Sequence, residues 1–274
     1  MRKIYLLVVL FALFCSCGGQ NKPFFFIQIS DPQFGMIESN KGFSNETDLV
    51  ERSIAAINRL KPDFVVVTGD MVNAPNSVEQ LKEWKRLSAT IDPAIKVFAV
   101  PGNHDVGNDA TPEMVEKYKS EYGYDRFSFS HKGVCFIGYN SSILKADRKE
   151  AEEEQFEWLQ KEFQNCVKGQ RKVLFAHHPL YLQNPDEEDK YENISIDKRK
   201  KYLQLFDKYN VRTLFTGHLH KNSKVNGGML TTHILTGLCR SFEGNPGFNV
   251  VKVYSDRIET EFYDVKTAPA KIKL

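Results

Sequence analysis

Short runs of β-branched and aromatic residues alternate along the chain with longer amphipathic stretches. The runs have the composition of strands buried on both faces of a sheet, and they occupy residues 24–29, 64–67, 96–100, 173–175 and 211–215. Apolar residues recur at three- and four-residue spacing in the intervening stretches, which predicts helices over residues 46–60, 77–87, 112–122, 152–163 and 197–209. This alternation is typical of an α/β domain with crossover helices.

Two further regions have the pattern of β-hairpins. Residues 127–139 contain the turn sequence His131-Lys132-Gly133, and residues 247–263 contain Ser255-Asp256. Part of the sheet system is therefore predicted to be antiparallel or mixed. The sequence has no repeat and no linker long enough to separate two domains, so we predict a single domain over residues 24–274.

The first residues have the layout of an export signal. The basic pair Arg2-Lys3 precedes an apolar run over residues 4–14, which is too short to cross a hydrocarbon layer of about 30 Å. We expect residues 1–16 to form a signal peptide and residues 17–23 to form a short tether. A buried N-terminal strand or helix is the alternative interpretation of the same run.

A cysteine directly after such a run resembles the lipidation site of a bacterial lipoprotein. Cys17 is the favoured position because the small residue Ser16 precedes it, while lipidation at Cys15 and an ordinary signal peptide stay open. The predicted location is outside the cytoplasm, on a periplasm-facing membrane or the cell surface. The protein would then contact the membrane through the lipid on Cys17.

The charges along the chain are nearly balanced. The sequence has 37 Lys and Arg residues and 35 Asp and Glu residues, so the formal net charge is +2. Cleavage after residue 16 would remove Arg2 and Lys3 and leave the mature chain formally neutral. Binding to nucleic acid through its phosphates normally needs a surplus of basic residues, so we expect no nucleic-acid partner. The apolar content of 41% also excludes a disordered or fibrous chain.

Three cysteines lie within the predicted domain, at Cys135, Cys166 and Cys239, and none belongs to a Cys-x-x-Cys pair. An odd and scattered set is neither a disulfide scaffold nor a thiolate metal site. We therefore expect buried free thiols at these positions.

Five polar segments each follow a predicted strand and carry side chains that bind metals. In an α/β sheet the carboxyl ends of the strands form the crevice where ligands bind, so such segments can converge on one place. Taken alone, a Gly-Asp turn or a histidine after a strand is more often structural. The five segments are Ser30-Asp31-Pro32-Gln33, Thr68-Gly69-Asp70, Pro101-Gly102-Asn103-His104-Asp105, Ala176-His177-His178-Pro179 and Thr216-Gly217-His218-Leu219-His220.

The types of side chain in these segments indicate which ions they would bind. Asp, Asn and His without cysteine suit Mn, Fe, Zn or Mg and do not suit copper(I) or an iron–sulfur cluster. A single cation rarely needs more than six protein ligands, whereas two ions that share a carboxylate would use all of these side chains. Two such ions clamp the attacking and leaving oxygens of a displacement at phosphorus. The expected cofactor is therefore two divalent metal ions, and the expected partner is a phosphorylated substrate.

The motif order D-x-Q, GD, GNHD, H-x-P and GHxH resembles the calcineurin-like metallophosphoesterase superfamily over residues 24–264. The resemblance is closest to a branch of animal serine/threonine phosphatases, where Asp31-Pro32-Gln33-Phe34-Gly35 and residues 102–108 are similar too. It implies a metal-dependent phosphoesterase. The fold that it implies is a four-layer α/β/β/α sandwich of two mixed β-sheets flanked by helices.

The resemblance also implies which residues bind the metals. One metal would be held by Asp31, Gln33, Asp70 and His220, and Asp70 would bridge to a second metal that Asn103, His177 and His218 complete. His178 falls on the variable position of H-x-P and is expected to pack beside the ligands.

The remaining residues of the GNHD motif are expected to act in catalysis. By resemblance, His104 contacts the substrate phosphate and protonates the leaving group, while Asp105 orients and charges its imidazole. The alternative for His104 is a structural histidine in a turn.

Gln33 departs from the superfamily at large, where a histidine usually stands at this position. An amide oxygen is a harder and weaker ligand than imidazole, so the first site should favour Mn or Mg, with Mn preferred, and should lose its metal more easily.

Three functions remain open at this stage. A phosphomonoesterase is the leading interpretation. A phosphodiesterase or nucleotide hydrolase would use the same metal pair and differ in the pocket walls. A metal-bound lipoprotein with weak or lost catalysis is the third, and Gln33 favours it.

Overall fold

The computed structural model describes residues 22–274. In chain order, the strands are β1 (Phe24–Ile29), β2 (Phe64–Thr68), β3 (Lys96–Val100), β4 (Phe127–His131), β5 (Val134–Gly138), β6 (Arg171–Phe175), β7 (Thr213–Thr216), β8 (Ser223–Gly227), β9 (Leu230–Ile234), β10 (Gly247–Val253) and β11 (Ile258–Asp264). The helices are α1 (Ser44–Leu60), α2 (Val78–Ser88), α3 (Asn103–Val106), α4 (Pro112–Tyr122), α5 (Ser141–Lys145), α6 (Lys149–Asn165) and α7 (Ile196–Lys208).

The strands form two mixed sheets. One has five strands in the order β11-β10-β1-β2-β3, and the other has six in the order β4-β5-β6-β7-β9-β8. Strands β1, β2 and β3 run parallel to one another, as do β5, β6, β7 and β9. The carboxyl ends of β1–β3 therefore meet at one edge of the first sheet, and those of β6 and β7 meet at one edge of the second.

Three apolar cores separate four layers. Helices α1, α2 and α4 pack on the five-stranded sheet around Ile54 and Trp84. Helices α6 and α7 pack on the six-stranded sheet around Leu159 and Phe206. A third core lies between the sheets and includes Phe26, Phe64, Phe136, Phe175 and Phe215. The predicted α/β/β/α sandwich of two mixed sheets is confirmed.

Strand β1 shows how the sequence builds these cores. Side chains alternate between the two faces of a strand, so Phe25, Ile27 and Ile29 join the helix-covered core while Phe24 and Phe26 join the core between the sheets. Gln28 faces the same way as Phe26, and its Nε2 donates to the Thr216 carbonyl of the other sheet at 3.0 Å. A buried amide therefore links the sheets beside the polar segments.

Most predicted elements are present, with small shifts at their ends. The two predicted hairpins are β4–β5 and β10–β11. The β8–β9 hairpin was missed because β8 has the sequence SKVNG and buries only Val225, so it lacks the apolar alternation of a strand. The short helices α3 and α5 were missed as well, because four and five residues are too few to show a helical period.

The expectation of three free thiols is wrong for two of them. Cys135 in β5 and Cys166 at the end of α6 form a disulfide. The two residues are 31 positions apart, and only the packing of α6 on the sheet brings them together, so spacing along the chain does not reveal the pair. Cys239 is a buried free thiol, as predicted.

The predicted signal peptide at residues 1–16 and most of the tether at 17–23 lie outside the described residues. Among residues 22–274, no helix has the length and apolar content needed to cross a membrane.

Candidate metal centre

All five polar segments begin at or just after the carboxyl end of a strand. Asp31 follows β1, Asp70 follows β2 and Asn103 follows β3, all in the five-stranded sheet. His177 and the pair His218 and His220 follow β6 and β7 in the other sheet. The structure therefore assembles the cluster across the edges of both sheets, as the strand ends predict.

His177 lies at the centre of one half of the cluster. Its Nε2 is 3.2 Å from Asp70 Oδ2, 3.2 Å from Asn103 Oδ1 and 3.2 Å from His218 Nδ1. The ligand atoms of Asp31, Asp70 and His177 all lie within 4.8 Å of one another. By the resemblance, Asn103, His177 and His218 belong to the second metal, Asp70 is the bridge, and Asp31 belongs to the first metal.

The other half of the cluster is formed by Asp31 and His220. Asp31 Oδ1 faces His220 Nε2 at 3.3 Å. Gln33 is buried nearby, since its Oε1 and the Nδ1 of His220 both contact the thiol of Cys239, at 3.7 and 3.9 Å. The Nε2 of Gln33 donates to Asn73 Oδ1 at 3.1 Å. Its amide oxygen is thus directed away from Asn73, and its role as a ligand stays a prediction.

The hydrogen bonds of the histidines fit a bound cation. Nδ1 of His177 lies 2.8 Å from the Thr68 carbonyl, and Nδ1 of His220 lies 3.0 Å from the Arg240 carbonyl. A carbonyl can only accept, so each Nδ1 carries the hydrogen and each neutral ring has its lone pair on Nε2. Those lone pairs face oxygen atoms that are also acceptors. Asp31 Oδ1 is fully buried with no hydrogen-bond partner among the described residues, as expected of a metal ligand.

The charges of the cluster are strongly coupled. Burial raises the pKa of Asp70, but the neighbouring His177 outweighs it and holds the pKa well below its usual value. Burial lowers the pKa of His177, yet Asp70 and Asp31 raise it to about 9. Burial and the charge of His177 lower the pKa of His218 to about 3. The two carboxylates therefore favour positive charge at this point of the cluster.

The backbone of the cluster adopts a conformation that is rare for these residues. The φ angles are positive at five of the seven predicted ligands. Non-glycine residues in this region cost of order 1–3 kcal/mol each and concentrate at functional sites. The five are Asp31 (50°), Gln33 (37°), Asp70 (54°), His218 (72°) and His220 (51°).

Two glycines leave the space that the ligands occupy. A Cβ at Gly102 would collide with Asp70, and a Cβ at Gly217 would collide with Ser30 and Asp31. Glycine is required at both positions by close approach of the backbone to a ligand.

Asp105 does not do what the resemblance implies. Its Oδ2 accepts from the amides of Asp70 and Gly102, at 2.8 Å each, and its Oδ1 accepts from the amides of Met71 and Val72, at 2.9 and 3.3 Å. The carboxylate therefore anchors the loop that carries Asp70, and it does not orient the His104 imidazole. Burial and the charge of Asp70 raise the pKa of Asp105 to about 7.

The imidazole of His104 is held by the backbone. Its Nδ1 lies 2.7 Å from the Asn73 carbonyl, and its own amide donates to Asp70 Oδ1 at 2.8 Å. His178 lies closer to the cluster than expected, since one of its nitrogens is within 4.8 Å of those of His177 and His218. Its Nδ1 lies 3.0 Å from Ser141 Oγ.

The motifs did not reveal every residue that touches the cluster. Nδ2 of Asn103 donates to Asn108 Oδ1 at 3.1 Å and to the hydroxyl of Tyr191 at 3.3 Å. These two acceptors turn the amide oxygen of Asn103 toward His177. Asn108 lies in the stretch that carries the resemblance, whereas no sequence signal marks Tyr191 or Asn73.

Known proteins share both the sequence and the fold. The chain is 35% identical over 265 residues to the Bos taurus protein named Serine/threonine-protein phosphatase CPPED1. The alignment covers 89% of this chain and 84% of that protein. The chain is 22% identical over 234 residues to a Probable cyclic nucleotide phosphodiesterase of Vesicomyosocius okutanii subsp. Calyptogena okutanii, covering 84% of this chain and 94% of that protein.

A solved dimetal phosphatase from Danio rerio has the same fold, with a TM-score of 0.67 at 16% identity over 88% of this chain and 96% of the other. The family model described as Calcineurin-like phosphoesterase matches residues 26–222, a span that contains every predicted metal ligand. The cluster of Asp and His side chains could hold the two divalent metals of that family. The chain therefore belongs to the calcineurin-like phosphoesterases.

Proposed function

We propose that this protein hydrolyses phosphate monoesters with a pair of divalent metal ions, of which Mn is favoured. Family membership makes it a metal-dependent phosphoesterase. The observation that carries the proposal is the convergence of Asp70 Oδ2, Asn103 Oδ1 and His218 Nδ1 on Nε2 of His177, each at 3.2 Å. Hydrolysis of a phosphorylated protein is an activity that the name of the bovine relative supports.

The cluster divides into two sets of ligands that share Asp70. Asp31, Gln33 and His220 would complete the first metal site, and Asn103, His177 and His218 would complete the second. When bound, two such ions supply a hydroxide at neutral pH and stabilise charge on the phosphoryl oxygens.

In this proposal His104 is the acid that protonates the leaving oxygen. The Asn73 carbonyl fixes the hydrogen of the neutral ring on Nδ1, so Nε2 is free to take a second proton and donate it to the substrate. The ring is only partly buried, which leaves it open to a substrate. Asp105 supports this arrangement indirectly, because it holds the backbone of residues 70–72 and of Gly102.

The decisive assay compares a monoester with a diester. Mn-loaded protein would be given p-nitrophenyl phosphate and bis(p-nitrophenyl) phosphate, with Asp70→Asn, which removes the predicted bridging ligand, as the control for hydrolysis by traces of other enzymes. Turnover of the monoester alone supports the proposal. Turnover of the diester alone supports a phosphodiesterase, an alternative favoured by the 22% identical relative. Turnover of neither supports a metal-bound lipoprotein without catalysis, the alternative that Gln33 favours.

We also propose that the protein is exported and held on a membrane by a lipid on Cys17. The disulfide between Cys135 and Cys166 supports export, because disulfides persist in oxidising compartments and are rare in the cytosol. Metabolic labelling with a palmitate analogue tests the anchor. Label on the wild type and none on Cys17→Ala is the expected result, with Cys15→Ala as the matched control. Loss of label in Cys15→Ala alone would move the site to that residue.

A further inference from the structure

Two exposed aromatic side chains border the metal cluster. Within residues 22–274, seven large apolar side chains are exposed. Two of these pack against histidines of the cluster. The ring of Tyr191, 57% exposed, lies 5.3 Å from the His218 ring, and the ring of Phe242, 58% exposed, lies 5.3 Å from the His220 ring. One aromatic ring therefore lies beside each half of the cluster.

Tyr191 is carried by a loop with an unusually dense set of hydrogen bonds. Arg199 is fully buried, and its guanidinium donates to the carbonyls of Pro185, Glu187 and Ile194 at 2.7–3.1 Å. The carboxylate of Glu187 accepts from the amide of Leu182 at 2.6 Å and from further amides of the same loop. A loop held in this way presents Tyr191 in one position, so little ordering is needed when a ligand packs on the ring.

The hydroxyl of Tyr191 contacts the predicted second metal site. It accepts from Nδ2 of Asn103 at 3.3 Å, so the ring lies beside a predicted ligand of the second metal. The ammonium of Lys145 donates to the Asn193 carbonyl at 2.7 Å and lies 5.9 Å from the ring centre. The loop is thus held on both sides of Tyr191 while the ring itself stays exposed.

Phe242 occupies the corresponding place at the first metal site. Its amide donates to the His220 carbonyl at 2.7 Å, and its ring is inclined by only 30° to the His220 imidazole. The guanidinium of Arg240 lies 5.3 Å from the centre of the ring. The exposed ring can stack with a planar group of a ligand, and the neighbouring cation attracts an anionic group of the same ligand.

We propose that the substrate is a phosphate monoester whose leaving group carries an aromatic ring, which packs on Tyr191 with Phe242 as a second wall. The inference rests on the proposed function, because it assigns the leaving group of that reaction. Packing of two aromatic rings adds an attraction that an aliphatic ring of equal size lacks. The expected effect is a threefold to tenfold preference for the aromatic ester.

A matched pair of esters tests the preference. Benzyl phosphate and cyclohexylmethyl phosphate both release a primary alcohol and differ only in whether the ring is aromatic. We expect wild-type kcat/KM to favour benzyl phosphate threefold to tenfold. Tyr191→Leu should bring the ratio close to one and Phe242→Leu should lower it, whereas Tyr191→Phe keeps the ring and should keep the ratio. Met229 is an exposed residue of the turn between β8 and β9. Met229→Leu is therefore the control, and its ratio of kcat/KM values should match that of the wild type.

A binding measurement separates this inference from the proposed function. Benzylphosphonate and cyclohexylmethylphosphonate cannot be hydrolysed at the ester position, so calorimetry with Mn-loaded protein reports the ring preference without turnover. Tighter binding of benzylphosphonate that Tyr191→Leu abolishes supports the inference even if neither ester is hydrolysed, a result that would overturn the proposed function. Equal kcat/KM values and equal Kd values in the wild type would overturn the inference and leave the proposed function intact.

Discussion

The imidazole of His104 is oriented by the main-chain carbonyl of Asn73, which lies 2.7 Å from its Nδ1. No side chain is needed for this contact, so the orientation of the ring survives exchange of any neighbouring side chain that leaves the backbone in place.

Replacing His104 should separate catalysis from metal binding. His104→Asn removes the group that protonates the leaving oxygen but leaves every predicted ligand, so turnover of benzyl phosphate, whose alcohol needs a proton to leave, should fall about 100-fold or more. Metal content measured by atomic emission should equal that of the wild type. Unchanged turnover would show that His104 is only a structural histidine of the turn.

Replacing Asp105 should act through stability. Asp105→Ala leaves the amides of Asp70, Met71, Val72 and Gly102 without their acceptor, which should lower the free energy of unfolding by about 3 kcal/mol or more. Metal affinity should fall too, because the Asp70 loop loses its anchor. Urea unfolding measures the first effect, and Asp109→Asn, at an exposed position three residues after helix α3, is the control. If Asp105→Ala had normal stability and had lost only activity, the result would favour the role implied by the resemblance, in which Asp105 orients the His104 imidazole.

Gln33 should make the first metal site the weaker one. Calorimetric titration of metal-free protein with Mn should resolve two unequal affinities, and Gln33→His should tighten the weaker, because imidazole is a stronger ligand than an amide oxygen. Gln164→His places the same new histidine on the surface and controls for Mn binding elsewhere. Two equally tight sites in the wild type would contradict the assignment.

The metal-free protein should lose stability as the pH rises. His177 has a folded pKa of about 9 against an ordinary value of 6.5, so its proton stabilises the fold fully below pH 6.5, and this contribution disappears as the pH approaches 9. Asp105, with its pKa raised to about 7, acts in the same direction because its ionisation is disfavoured in the folded protein.

The measurement is the urea midpoint at pH 6.5 and pH 9 in the presence of a chelator, where a decrease is expected. With Mn under argon the decrease should shrink or reverse, since metal binding requires ligands without protons. A midpoint that rises with pH in chelator would show that His177 is not charged between the two carboxylates.

The disulfide should contribute measurably to stability. A cross-link between residues 31 positions apart is expected to add about 3–4 kcal/mol by restricting the unfolded chain. Dithiothreitol should lower the urea midpoint of the wild type and leave the double variant Cys135→Ala/Cys166→Ala unchanged. Equal midpoints of the wild type with and without reductant would mean that Cys135 and Cys166 are not joined in solution.

Local patterns were sufficient to predict the elements that bury a continuous apolar run. Strand β1, for example, is apolar at five of its six positions, and helix α4 begins with Pro112 after the capping residue Thr111. The hairpin β8–β9 was missed because β8 buries only Val225 and so lacks the apolar alternation of a strand.

The ligands were predictable for a similar reason, since each stands at or just after the end of a strand. Their geometry was not. No local sequence pattern marks the positive φ at Asp31 and His218, and the four amides that Asp105 binds belong to two different segments. The disulfide and the placement of Tyr191 beside Asn103 likewise depend on residues distant in the chain.

The parallel strands that bring the metal ligands to one end of the sandwich leave its other end without them. The turn at Lys132-Gly133, the start of β6 at Arg171 and the turn at Ser255 line one cavity there, together with Lys22. Strand β10 separates the Ser255 turn from the metal-binding end by seven residues, roughly 20 Å. A reporter domain inserted at this turn, or new termini from circular permutation there, would leave the chemistry untouched.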